Sequence, residues 1–146
     1  PELARVRQAP ARHVGAEDAP VAAFRDAFGP QLCIGVSCYA SLDKARQAGR
    51  DGADYVALGA FFPSPSKPRA TRVNLHVLQT ARAELKMPLV AIGGITEDNG
   101  SQLIAAGADA LAVIPGVFAP PSVGEVEQAA LRFAVLFDDS GNKSKE

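Results

Sequence analysis

The chain has 146 residues, 47% of them hydrophobic, which suffices for one domain with a sizeable core. Fifteen basic and sixteen acidic residues leave a net charge of −1, and no block of Lys or Arg indicates a nucleic-acid or anionic membrane surface. Because no apolar run reaches the roughly 20 residues that a spanning helix needs, we expect a protein that binds neither nucleic acid nor membrane.

Short apolar runs alternate with longer amphipathic runs along the chain. After a partial unit over residues 13–28, four apolar runs rich in β-branched residues predict buried strands at 33–37, 55–59, 89–94 and 110–116. Runs with helical spacing predict helices at 42–49, 75–85, 99–106 and 123–137. This alternation implies a parallel sheet, because each crossover between parallel strands needs a helix.

An internal repeat supports the same architecture. Gly-Ala-Asp precedes an apolar strand at Gly52–Asp54 and again at Gly107–Asp109, 55 residues later. Each glycine suits the left-handed residue that ends a helix, and each aspartate suits the turn into the next strand. Such units build a (β/α)₈ barrel or a doubly wound sheet, and a complete barrel takes about 200 residues or more. We therefore predict a parallel α/β chain that carries roughly the second half of a (β/α)₈ TIM barrel.

The two cysteines bear on the cellular compartment. Cys33 and Cys38 have an odd spacing on one predicted strand, which turns their side chains to opposite faces and disfavours a mutual disulfide. Residues 1–12 also lack the apolar core of a signal peptide. A reducing, cytoplasmic location is expected.

Candidate functional residues follow the strands, since sites of both architectures lie at the strands' carboxyl ends. Gly93 and Gly94 end a strand before a helix, where glycine admits a ligand to the backbone and the helix N-terminus favours anions. The loop 61–70 combines prolines at 63, 65 and 68 with Ser64, Ser66 and Lys67. The prolines would hold the serine hydroxyls rigidly as hydrogen-bond donors beside the positive charge of the lysine. Phosphate binding is the functional interpretation of both segments. The alternatives are a tight turn at Gly93 and Gly94 and a solvated connection over the loop 61–70.

Five ordered motifs, HVGAEDAP, IGVSCYAS, ALGAFFPSPSKP, AIGGIT and ADALAVIPGVF, closely resemble the C-terminal half of the thiamine-phosphate synthase family. The resemblance covers residues 13–137 and leaves out residues 1–12. It implies a Mg²⁺-dependent transferase of thiamine biosynthesis that joins hydroxymethylpyrimidine diphosphate to a thiazole phosphate and releases diphosphate. The polar segment 138–146 is expected to be a mobile tail.

Carried over by position, the resemblance implies a role for individual residues. Asp18 corresponds to a Mg²⁺ ligand, with a helix N-cap as its alternative role. Ser37 and Lys67 correspond to residues that bind the pyrimidine diphosphate, and Lys67 would stabilise the departing diphosphate during catalysis. The thiazole phosphate is expected at the remaining matched positions, which are Ser64, Pro65, Ser66, Gly94, Ile114 and Pro115.

Three departures from the family pattern stand out. Pro115 replaces a serine, so the phosphate-binding site loses a hydroxyl and an N–H. Gly116 could supply an N–H instead. Cys38 and Tyr39 replace Thr-His. The N-terminal Arg/Gln/Lys cluster and the Asn-Asp pair with a second Mg²⁺ ligand match nothing in residues 1–146.

These departures leave two alternatives open, a thiazole-tautomerase-like homologue and a non-catalytic, truncated phosphate-binding half-barrel. We expect the chain to form a homo-oligomer or to need the missing N-terminal half, because an open half-barrel exposes strand edges and an apolar inner face. His13 and His76 are interpreted as structural or solvated rather than catalytic.

Overall fold

A computed structural model describes residues 10–15, 18–64, 68, 70–119 and 122–141. Strands and helices alternate along these residues, with a single 3₁₀ turn at Gly29–Gln31. In chain order the elements are β1 (Ala11–Val14), α1 (Val21–Phe28), β2 (Cys33–Tyr39), α2 (Leu42–Arg50), β3 (Tyr55–Gly59), α3 (Leu75–Glu84), β4 (Leu89–Ile92), α4 (Glu97–Ala105), β5 (Ala110–Ala112), α5 (Pro115–Phe118) and α6 (Val123–Gly141).

The five strands form one parallel sheet in the order β1-β2-β3-β4-β5. This order follows from the crossover helices, each of which returns the chain to the neighbouring position of the sheet. The register places His13 beside Gly35, and Gly35 beside Tyr55. The predicted parallel α/β architecture is confirmed. Within the described residues, β1 and β5 each have a neighbour on one side only.

The hydrophobic core lies between the helices and one face of the sheet. Its larger cluster joins β2–β5 to the helices that cover them, and a smaller cluster joins β1 and β2 to α1. The largest side chains that these clusters bury completely are Phe24, Ile34, Val56, Leu58, Leu78, Leu89 and Leu103.

The opposite face of the sheet corresponds to the inside of a barrel, and its composition differs from the expected lining of Val, Ile and Leu. Alternation along the strands brings His13, Ser37 and Tyr55 to this face together with Val90 and Ile92. None of these five side chains is buried. The inner face therefore carries polar side chains on each of β1–β3 and two large apolar ones on β4.

Two element boundaries differ from the predictions by four residues, and the other differences are smaller. The strand predicted over 110–116 ends at Ala112, because Pro115 begins α5, where its fixed φ suits the first helical position and no N–H is needed. The last helix continues to Gly141, so residues 138–141 are helical rather than part of a tail. Adding polar residues to an existing helix is easy, since each adds a hydrogen bond without a new nucleation step. No described helix is long and apolar enough to cross a membrane.

In the structure, each copy of the internal repeat contributes an aspartate that pairs with an arginine at the amino ends of the strands. These two arginine–aspartate pairs, with the backbone groups they bond to, are called clamps below. Gly52 and Gly107 both have positive φ, 88° and 109°, as the sequence predicted for residues that end a helix. In the first clamp, Asp54 accepts hydrogen bonds from Arg25 of α1 and from the backbone N–H of Ile34, at 2.6 Å for the latter. Arg25 also donates to the Gly52 carbonyl, with an Nη2–O distance of 2.7 Å.

The second clamp repeats these contacts one βαβα unit later. Asp109 accepts from Arg82 of α3 and from the N–H of Leu89, the latter at 2.7 Å, and Arg82 Nε donates to the Gly107 carbonyl at 3.1 Å. Each clamp thus ties a helix to the two strands that follow it. The opposite edge of the sheet, where the predicted functional residues lie, takes no part in these contacts.

Candidate functional site

Asp18 lies just after β1 and is held by two donors. Its Oδ2 accepts from the Gly15 N–H at 2.8 Å, and its Oδ1 accepts from Arg12 Nη2 at 3.0 Å. Helix α1 begins after Pro20 without a side-chain cap, so the alternative N-cap role of Asp18 is wrong. The Gly15 N–H, aided by Arg12, lowers the pKa of the Asp18 carboxyl against the opposing effect of desolvation. The side chain therefore presents an ionised carboxylate at this edge.

A carboxylate of this kind suits one particular form of metal binding. Mg²⁺ is commonly held by one or two carboxylates together with substrate phosphates and water. Within the described residues, no group of three or more His, Cys, Asp or Glu side chains could hold a metal ion by itself. The Asp18 carboxylate thus fits a Mg²⁺ ion that is shared with a phosphorylated substrate.

Ser37 lies on the inner face of β2 and contacts His13 of β1. The distance from His13 Nε2 to Ser37 Oγ is 2.8 Å, and that from His13 Nδ1 to the Tyr55 hydroxyl is 3.1 Å. The His13 and Tyr55 rings also stack, with centroids 5.7 Å apart. Partial burial lowers the pKa of His13, although the Asp18 charge acts in the opposite direction. The interpretation of His13 as a structural or solvated residue overlooked its contact with a candidate binding residue.

Gly35 makes the contact between His13 and Tyr55 possible. It pairs with both residues in the register of the sheet, and a Cβ at this position would lie 1.9 Å from Cζ of Tyr55. The tyrosine ring thus crosses β2 over the backbone of Gly35. His13, Ser37, Tyr55 and Gly35 are called the histidine network below.

The serine-rich loop begins at the end of β3 and is bonded to the end of β4. Phe61 and Phe62 donate their N–H groups to the carbonyls of Ile92 and Gly93, at 3.2 and 3.0 Å. Of the loop's candidate residues, Ser64 is described, whereas Pro65, Ser66 and Lys67 lie outside the described residues. A pocket of about 620 Å³ adjoins the loop, lined by Tyr39, Ala40, Gly59, Ala60, Pro68, Ala70 and Thr71.

Gly93 and Gly94 pack against this loop. Both have positive φ, 95° and 65°. A Cβ at Gly94 would lie 2.3 Å from the Pro63 carbonyl oxygen and 2.6 Å from that of Phe62. Backbone from the loop therefore fills the space on that side of Gly94, and the tight-turn interpretation has a specific structural cause. Asn99 Nδ2 fixes the turn further by donating to the Gly94 carbonyl at 3.1 Å.

The last candidate residues lie between β5 and α5. The Ile114 side chain is 68% exposed, and Pro115 is the first residue of α5. Gly116 lies beside the turn that follows β4, since a Cβ at Gly116 would lie 3.1 Å from the Ile95 carbonyl oxygen. The N–H groups in a first helical turn have no acceptor within the helix, so Gly116 can offer one where Pro115 cannot.

Apart from Asp18, the candidate residues that the structure describes lie in two groups. The first is the histidine network, which includes Ser37. The second comprises residues 61–64 of the serine-rich loop, the turn at Gly93 and Gly94, and the start of α5. His76 lies apart on α3, exposed, with Nδ1 3.3 Å from Thr80 Oγ1, which agrees with a solvated role. His13, Tyr55 and Gly35 were missed as site residues. A period-two reading would have placed Gly35 and Ser37 on one face of β2.

Comparison with known proteins identifies relatives that match most of the chain. A family model described as thiamine monophosphate synthase matches residues 1–117, which includes the segment 1–12 expected to lie outside the resemblance. A thiamine-phosphate synthase of Acidithiobacillus ferrooxidans is 62% identical over 139 residues, covering 95% of this chain and 63% of the relative. One from Azoarcus sp. is 50% identical over 135 residues, covering 92% and 64%.

A solved structure agrees with these sequence matches. A thiamine phosphate pyrophosphorylase from Pyrococcus furiosus superposes with a TM-score of 0.82 at 32% identity, covering 94% of this chain and 64% of that one. The predicted resemblance and the TIM-barrel-like fold class are confirmed. The chain spans just under two thirds of the length of these relatives.

Proposed function

The chain belongs to the thiamine monophosphate synthase family, and on that basis we propose that it forms the thiazole-phosphate and diphosphate-facing part of a thiamine-phosphate synthase active site. The observation that carries the proposal is the 62% identity with a thiamine-phosphate synthase across 139 residues. The reaction joins hydroxymethylpyrimidine diphosphate to a thiazole phosphate. The C–O bond of the pyrimidine methylene breaks, diphosphate leaves with the electron pair, and the thiazole nitrogen donates its lone pair to the new C–N bond.

The proposed roles draw on residues of both groups. Ser37 donates to the diphosphate, and Lys67 neutralises charge that develops on it as it leaves. Ser64, Pro65 and Ser66 form the loop over the thiazole phosphate. Gly94, Ile114 and Pro115 form its seat, where Gly116 offers an N–H.

Mg²⁺ is proposed as the cofactor, with Asp18 as the ligand from this chain. When bound, Mg²⁺ would supply a positive charge that stabilises the leaving diphosphate. The lowered pKa of Asp18 keeps its carboxylate ionised near neutral pH, which supports this role. Arg12 bonds to Oδ1 and the Gly15 N–H bonds to Oδ2, so each carboxylate oxygen would still have a lone pair for a metal ion.

The location and partners are also proposals. Both cysteines are free thiols, which supports a cytoplasmic location. Within the part of the chain that the structure describes, β1 and β5 are edge strands, which supports either association of two copies or pairing with additional barrel strands.

Fragment complementation tests the proposed function. The chain is mixed with the segment of the Acidithiobacillus ferrooxidans relative outside the match, and thiamine phosphate formation is measured with both substrates and Mg²⁺. We expect the product only when both polypeptides and Mg²⁺ are present. Conversion of the thiazole phosphate without the pyrimidine diphosphate would favour a tautomerase. Binding of thiazole phosphate without any turnover would favour a non-catalytic phosphate-binding protein.

A further inference from the structure

The histidine network raises a question about proton positions. Ser37 Oγ and the Tyr55 hydroxyl flank the two ring nitrogens of His13, at 2.8 and 3.1 Å. A neutral imidazole donates through one nitrogen and accepts through the other, so the two contacts must have opposite directions. Two arrangements satisfy this condition, and they have different consequences for Ser37.

In the first arrangement, the Tyr55 hydroxyl donates to Nδ1 and the Nε2–H of His13 donates to Ser37. The serine proton is then unused within the network and can be donated to a ligand. In the second arrangement, Nδ1–H donates to Tyr55 and Ser37 donates its proton to Nε2. Ser37 could then offer only lone pairs to a ligand, and an anionic phosphate oxygen, which is itself an acceptor, would be repelled.

We propose that His13 is a positioning residue, held by Tyr55 as the Nε2–H tautomer, which directs the Ser37 hydroxyl proton towards a diphosphate oxygen. This inference rests on the proposed function for the identity of the ligand. The geometry independently supports the contact through which Tyr55 would hold His13, because Gly35 leaves the room that the Tyr55 ring needs to reach it. A ring placed only for packing would need no hydroxyl within hydrogen-bond distance of Nδ1.

The lowered pKa of His13 supports a neutral ring near pH 7, which is the condition under which the choice of tautomer matters. The Asp18 charge opposes this shift without reversing it. The chain has two histidines, and His76 lies on α3 away from the network, so signals of the two can be separated by substitution.

The tautomer is measured by long-range ¹H–¹⁵N NMR of the histidine side chains at pH 7.5, with His13→Gln used for assignment. We expect the Nε2–H form in the wild-type chain and a mixture of tautomers in Tyr55→Phe, which lacks the donor to Nδ1. A dominant Nδ1–H form in the wild-type chain, or a tautomer unaffected by Tyr55→Phe, would overturn the inference.

The effect on ligand binding is measured by calorimetry with inorganic diphosphate. His13→Leu is expected to weaken binding about tenfold, whereas His13→Gln, whose amide N–H can replace Nε2–H, should stay within about threefold of wild type. In a Ser37→Ala background, His13→Leu should cause no further loss, since its effect passes through the serine hydroxyl.

Additive losses in this double-mutant cycle, or wild-type affinity in His13→Leu, would overturn the inference. So would the absence of diphosphate binding by the wild-type chain. If His13→Leu does not fold, the cycle is run with Tyr55→Phe, for which a loss of about threefold that vanishes in Ser37→Ala is expected. A protein that passes both measurements but forms no thiamine phosphate on complementation fails only the proposed function.

Discussion

Gly35 shows how a single residue can set the arrangement of a site. Its Cβ position lies 1.9 Å from Cζ of Tyr55, so any larger residue must displace the ring. The tyrosine in turn holds His13, which contacts Ser37. The requirement for glycine here is steric, because no positive φ is involved.

We predict that Gly35→Ala lowers the free energy of unfolding by about 2 kcal/mol, a typical overpacking cost. Urea denaturation measures the change. In a Tyr55→Ala background the same substitution should cost little, because the obstructing ring is gone. Gly124→Ala on α6, where a Cβ meets nothing within 4 Å, is the control and should not destabilise the chain. An equal loss with and without Tyr55 would contradict the steric explanation.

Lys67 carries the second prediction at this scale, which follows from its proposed role. In a complemented barrel, Lys67→Ala should reduce turnover at least about tenfold, or about 1.4 kcal/mol, because a charge opposing the leaving diphosphate is lost. Steady-state formation of thiamine phosphate measures the effect. Lys86→Ala, an exposed lysine that precedes β4 at the other end of the sheet, is the matched control. Turnover that is equal in the two variants would refute the assignment.

Pro115 carries the third, since it removes an N–H from the proposed phosphate seat. Pro115→Ser should tighten binding of thiazole phosphate by roughly 1 kcal/mol, the net value of one hydrogen bond. Calorimetry measures the affinity. No gain would indicate that Gly116 or another donor already serves the phosphate.

The residue scale also shows where sequence reasoning succeeds. The motif around Gly94 predicted its place after a strand, because the order of strands and helices fixes which edge it occupies. Ser37 was predicted to end its strand but lies two residues before the end of β2. The contact between His13 and Ser37 depends on the register of β1 against β2, and the need for Gly35 depends on the direction of the Tyr55 ring. Neither the register nor a ring direction can be read from local spacing.

At the scale of elements, the two arginine–aspartate clamps explain the internal repeat. The sequence indicated Gly-Ala-Asp twice and assigned the aspartates to turns. Their arginine partners, Arg25 and Arg82, lie more than 25 residues away on preceding helices, where an arginine is equally compatible with a solvated face. Only the packing of helices on the sheet identifies the partner.

The first clamp makes stability depend on pH. Although desolvation opposes the shift, the Ile34 N–H and Arg25 lower the pKa of Asp54 in the folded chain. The unfolded chain then binds a proton before the folded chain does, so the stabilisation is complete above the ordinary aspartate pKa of about 4 and disappears at lower pH.

We therefore expect Asp54→Asn to lower the free energy of unfolding by about 1 kcal/mol at pH 7, a value reduced for the partial exposure of the carboxylate. The difference from wild type should shrink as the pH falls below about 4. Urea denaturation between pH 3 and 7 measures it. Asp26→Asn on α1, for which no ion pair is present among the described residues, is the control. A difference that is constant with pH would exclude the clamp as its cause.

For the whole molecule, the exposed apolar side chains lie mainly on the terminal helices rather than on the inner face of the sheet, where the sequence led us to expect them. Tyr39, Ile114, Phe118, Val123, Leu131 and Val135 are the exposed large hydrophobic residues of the described part of the chain. Leu131 and Val135 are four residues apart and share one face of α6. The composition of the strands could not predict this, because exposure depends on what covers each helix.

Covering these side chains would stabilise an assembly considerably. Six large apolar residues are worth on the order of 10 kcal/mol when fully buried, which is comparable with the stability of a whole domain. Among the residues that the structure describes, β1 and β5 each pair on one side only, which adds backbone donors and acceptors that a second copy could satisfy. Both features favour association over an isolated monomer.

We predict that the purified chain sediments as a dimer or larger species at micromolar concentration. Leu131→Glu should shift it towards monomer, because a carboxylate would replace an apolar contact on α6. Gln79→Glu, which adds the same charge at an exposed position on α3, should leave the assembly unchanged. The complementing segment should also compete with self-association if both use the open strand edges. A stable monomer in analytical ultracentrifugation would show that the edges and the α6 face are tolerated in water without a partner.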